Sequence, residues 1–67
     1  MAKFKDRLKE LRIEKELSQS KLAEKLGVDF RTISNWENGV RKPDIDTLVK
    51  IARFFDVSTD YLLGLVN

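Results

Sequence analysis

The sequence predicts an all-α fold, a compact five-helix bundle of short helices. Three observations carry that expectation. Apolar residues recur at helical spacing in every long segment, and a Ser or Asp suited to start a helix precedes most of them. No run of alternating β-branched residues suggests a strand. The 67 residues suit a single domain, expected to span 1–67. Charged residues make up 36% and hydrophobic ones 42%, which fits a soluble chain with a modest core better than disorder. No apolar run approaches the roughly 18 residues of a membrane span. The first residues, Met1 to Asp6, lack the apolar stretch of a secretory leader. A cytoplasmic setting is therefore expected.

The first helix is expected over 4–15, where Phe4, Leu8 and Leu11 share one stripe and the Lys15 stem closes it. Lys3, Lys5, Arg7 and Lys9 are expected to face solvent, with Asp6 and Glu10 among them. A start pattern then recurs. Leu17-Ser18 precedes Leu22, Val28-Asp29 precedes Ile33, and Val57-Ser58 precedes Leu62. In each, the polar residue can accept a bond from a free N–H of the first turn. The apolar residue before it can pack on the residue four into the helix. Pro43-Asp44 has the cap without the staple. Gly27, Gly39 and Gly64 supply stops. The remaining helices are expected at about 19–26, 30–37, 45–55 and 59–63. Ile45, Leu48, Val49, Ala52 and Phe55 form the predicted buried stripe of the fourth.

Composition removes much chemistry. With neither Cys nor His, there is no disulfide framework, no usual zinc ligand set and no imidazole base. No glycine-rich phosphate loop or acidic metal cluster is evident. No enzyme activity, metal or cofactor is expected. Charge is unevenly placed: residues 1–43 carry 11 Lys+Arg and 7 Asp+Glu, whereas residues 44–67 carry 2 and 4. Either a polyanionic partner for the basic part or a plain solvated surface accounts for that split.

The informative stretch runs from Leu17 to Gly39. Leu22, Ala23 and Leu26 face inward from one short helix, and Ile33 and Trp36 from the next. Small Ala23 permits a close crossing and Gly27 a sharp turn. Ala23, Gly27, Ile33 and Trp36 in register form the spacing of a DNA-binding helix-turn-helix. At about 100° per residue from position 30, Phe30, Ser34, Arg31 and Asn35 fall near 0, 40, 100 and 140°. Ile33 and Trp36 fall on the opposite side, so these four residues are the outward set. Arg can bond guanine O6 and N7, Asn can bond adenine N6 and N7, and a ring can meet a thymine methyl. Phe30 can equally fold back onto the body.

With those residues in place, the chain resembles the lambda-repressor-like, Xre-type helix-turn-helix domains of bacteria and their phages. The resemblance runs from about Phe4 to Gly64 through LSQSKLAEKLGV, TISNWENG, KPDIDTLVKIA and VSTDYLLG. It implies five helices with the third in the major groove, and base contacts at Phe30, Arg31 and Asn35. A polar residue is commoner at the position of Phe30, so this chain departs there. The resemblance also implies that Gln19 meets a phosphate or braces the third helix. Asn38 would contact a phosphate, and Arg12 would pair with Glu37 as architecture. Arg41 and Lys42, in a loop beside the backbone, are further phosphate candidates.

The expected function is sequence-specific binding of double-stranded DNA by a transcriptional regulator, a repressor acting at palindromic sites. The alternative is an antitoxin or anti-repressor module on the same fold, with a protein partner deciding the output. No small-molecule effector is expected, because no second domain follows to hold one. The C-terminal run leaves two arrangements open. Tyr61, Leu63, Leu65 and Val66 can form a homodimer surface, or the tail can fold back over the first helix and complete the core.

Overall fold

A computed structural model describes residues 3–67. Five helices follow in order: α1 (Phe4–Glu14), α2 (Gln19–Leu26), α3 (Phe30–Glu37), α4 (Ile45–Phe55) and α5 (Thr59–Leu62). Two ends fall one residue short of expectation, with Lys15 and Leu63 serving as C-caps. All four predicted caps form. Ser18 Oγ accepts from the Lys21 N–H at 3.0 Å, Asp29 Oδ1 from Arg31 at 2.8 Å, Asp44 Oδ1 from Thr47 at 2.8 Å, and Ser58 Oγ from Tyr61 at 3.0 Å. Each satisfies one N–H that the first helical turn leaves unpaired. Leu17, Val28 and Val57, the residues before three of these caps, pack against the core.

Leu8, Leu22, Leu26, Ile33, Ile51 and Leu62 are fully buried, so every helix sends at least one side chain to a common centre. Ala23 and Trp36 are buried beside them. α2 packs closely on α3, while α1 lies against both α3 and α5. Gly27, at φ 72°, turns the chain between α2 and α3. An L side chain there would meet the left-handed strain that glycine avoids. Lys50 of α4 reaches across and donates from Nζ to the Leu26 carbonyl at 2.7 Å. A cation thus closes the negative end of α2 at the turn.

Two expectations need correction. The buried face of α4 is Leu48, Ile51, Ala52 and Phe55, while Ile45 is 79% exposed and Val49 36%. The helix is apolar around more than half its circumference. Ile51 and Phe55 shift the centre of the buried arc by roughly 70° from Ile45. Arg7 is the second case. It lies beside the Leu8–Leu11 stripe and is only 9% exposed, not solvent-facing. Its Nη2 donates to the Val66 carbonyl at 3.1 Å, and its guanidinium carbon sits 4.0 Å from the Tyr61 ring centroid.

Candidate nucleic-acid interface

α3 is held from behind and open in front. Behind it, Glu37 accepts Arg12 Nε at 2.7 Å and Arg12 Nη2 at 3.0 Å, in a two-pronged pair with α1. Arg12 Nη1 also donates to the Leu17 carbonyl at 2.8 Å. Gln19, at the start of α2, donates from Nε2 to Glu37 Oε1 at 3.2 Å. One buried carboxylate therefore ties together α1, α2 and the end of α3. The hydrogen bonds that Arg12 donates to Glu37 hold the Arg12 pKa above its already high ordinary value, outweighing the opposite pull of desolvation. Trp36 is buried on the same inward side.

The front of α3 carries Phe30, half exposed, and Arg31, also exposed, with Ser34 and Asn35 partly exposed. These four are the predicted outward set, and the structure brings them onto one face. The Phe30 ring does not join the core, since half its surface meets solvent. Among the described residues Arg31 has no ion-pair partner, so its guanidinium is available. Asn38 donates from Nδ2 to Ser34 Oγ at 3.3 Å, linking the helix end to that face. The Asn35 carbonyl accepts from the Val40 and Arg41 N–H groups at 2.9 and 3.3 Å, and so folds the following loop against α3.

That loop carries Asn38, Arg41 and Lys42, all exposed. Gln19, at the start of α2, spends one of its two amide N–H groups on Glu37. Beside the loop opens a concavity of about 620 Å³, whose lining includes Arg41 and Lys42 together with Lys3 and Lys5 of the α1 start. No sequence pattern links residue 5 to residue 41, because the fold alone brings them together. Leu63, which also lines the concavity, lies exposed together with Leu65 and Val66, whereas Tyr61 is partly covered beneath Arg7. The described residues contain no cluster suited to a metal ion and no helix long and apolar enough to cross a membrane.

A family model described as helix-turn-helix matches residues 8–62. The chain is 48% identical over 58 residues to the HTH-type transcriptional regulator ImmR of Bacillus subtilis (strain 168), covering 87% of this chain and 46% of that protein. It superposes on the P22 c2 repressor, solved with a synthetic operator, with a TM-score of 0.87 and 27% identity, covering 94% and 96% of the two chains. The biofilm master regulator SinR, solved in complex with DNA, gives a TM-score of 0.79 and 38% identity, covering 88% and 95%. The chain spans about half the length of the curated relatives it matches.

Proposed function

Because the chain belongs to the helix-turn-helix family of the lambda-repressor-like, Xre type, we propose that it is a sequence-specific DNA-binding transcriptional regulator. The observation that carries this reading is the contrast across α3. Its inner end is fixed by the Arg12–Glu37–Gln19 cluster, while Arg31 and Asn35 stand outward with groups that fit purine edges. A reading helix must be rigidly placed and chemically free, and α3 is both. Ser34 and Phe30 complete the face, Phe30 through apolar contact with a thymine methyl. Asn38, Arg41 and Lys42 touch phosphates, with Gln19 bracing the helix. The protein acts in the cytoplasm as a repressor.

A single short helix reads few base pairs, and single modules bury only roughly 600–1,000 Å² on DNA. Two copies on half-sites about 34–36 Å apart supply the missing affinity. Leu63, Leu65 and Val66, exposed near Tyr61, are the proposed homodimer contact. Selecting bound sites from random DNA tests both parts at once. A palindromic motif with fixed spacing supports the dimeric reading. A single half-site sinks the dimer alone, and no enriched sequence sinks base readout.

A further inference from the structure

Lys3 and Lys5 belong to the amino end of α1, far in sequence from the reading helix. Yet they share one concavity with Arg41 and Lys42 of the loop after α3. No carboxylate lines that concavity, and none of the four cations is in an ion pair among the described residues. Phe4, Trp36 and Leu48 also line it and give the aliphatic stems an apolar surface to lie on. The placement of Lys5 is specific. Its Cδ lies 3.2 Å from where a Cβ at position 39 would stand, and Gly39 adopts φ 74°. The missing side chain at Gly39 leaves room for the Lys5 stem to lie against the loop after α3.

Four like charges around one concavity repel each other, and a polyanion relieves that repulsion. An extended sugar-phosphate backbone fits better than a small anion, because the cations come from two chain segments around an open groove. We infer that this concavity is a backbone-phosphate clamp in which Lys3 and Lys5 join Arg41 and Lys42. One DNA strand is thereby gripped from both α1 and the loop after α3. The inference rests on the DNA-binding reading above. It extends the footprint to a helix that the outward face of α3 does not involve.

The test measures binding of the purified chain to its selected site across a salt series, for Lys3→Gln, Lys5→Gln, the double variant and Lys5→Arg. Lys9→Gln, on an exposed part of α1 outside the concavity, removes the same charge as a control. Each lost phosphate contact should flatten the slope of log K against log salt by about 0.9. The double variant should therefore flatten it by nearly two, with the preferred sequence unchanged, and Lys5→Arg should keep the parent slope. A parent slope in the double variant overturns the clamp, as does an equal loss in Lys9→Gln. Wild-type protein that prefers no sequence overturns the function instead, so the two failures are distinct.

Discussion

Arg7 and Arg12 leave the same helix toward the same interior and meet opposite environments. Arg12 finds a carboxylate, a carbonyl and good geometry, with its own side chain 13% exposed and that of Glu37 only 3%. Arg7 finds a carbonyl and a ring but no acid, and its Nε is buried without any partner. The difference follows what each holds. Arg12 positions α3, where a small rotation would redirect every side chain on its outward face. Arg7 holds down the tail, where cation–π attraction and one hydrogen bond suffice. A paired interior charge here marks the element whose orientation matters, while an unpaired one marks a fastening.

The sharpest way to break that contrast is to remove the acid. Glu37→Ala leaves Arg12 largely buried without its carboxylate and Gln19 without its acceptor. Loss of one partner from a buried pair costs about 3–5 kcal/mol, and the lower end applies because Arg12 keeps some solvent contact. Urea unfolding should show a drop of about 3 kcal/mol, enough to unfold a large share of a small domain. Replacing both partners, Arg12→Met with Glu37→Leu, should cost clearly less than Glu37→Ala. A loss under about 1 kcal/mol for the single variant would mean that the pair behaves like a surface ion pair.

The front of α3 should respond in the opposite currency, through binding with little change in folding. Arg31→Ala and Asn35→Ala should each weaken specific DNA binding by about 1–3 kcal/mol and relax preference at one base pair. Their unfolding midpoints should barely move, since substitutions away from the core usually stay within about 0.5 kcal/mol. Equal losses on random DNA would reassign them to phosphate contact.

How legible these regions were in the sequence follows the same divide. Helix limits were readable because Ser18, Asp29, Asp44 and Ser58 announce the starts of α2 to α5 locally, and Gly27 and Gly39 announce two stops. The ends of α1 and α4 carry no such mark, because Glu16 and Asp56 take left-handed φ values of 56° and 55° with ordinary side chains. The outward face of α3 was readable from angular spacing alone. The phase of α4 was not, because two overlapping apolar stripes satisfy the same periodicity and only packing selects the one with Ile51. The burial of Arg7 and the approach of Lys5 to Gly39 arise from tertiary contacts that no local pattern encodes. The Arg12–Glu37 pairing, 25 residues apart, was available only through family resemblance.

Arg7 offers a smaller effect that sharpens the comparison from the other side. Arg7→Met removes a buried cation with an unsatisfied Nε and leaves an apolar chain of similar reach. The lost ring contact and hydrogen bond oppose the relieved desolvation, so unfolding should shift by no more than about 1 kcal/mol in either direction. DNA affinity for a single half-site should stay unchanged. Faster amide exchange in Leu65 and Val66 should report the released tail. A loss matching that of Glu37→Ala would show that the tail is as critical to the fold as the anchoring of α3.

The smallest expected effect lies at the start of α4 and tests whether an exposed charge contributes by location alone. The Asp44 carboxylate accepts from Thr47 and sits at a helix N-terminus, and the hydrogen bonding from Thr47 holds its pKa below the ordinary 3.8. The folded state therefore prefers the ionised form more strongly than the unfolded chain does. That preference contributes its full stability above the unfolded value near 3.8. The contribution fades as pH falls through the lower folded pKa, since the folded protein must then take up a proton that it binds weakly. Asp44→Asn keeps an oxygen that can cap the helix but removes the titration. The stability of wild type relative to this variant should be flat from neutral pH down to about 5 and then fall in the acid range. A relative stability that rises on acidification, or that changes between pH 6 and 8, would show that the dominant interaction of Asp44 is not with the start of its own helix.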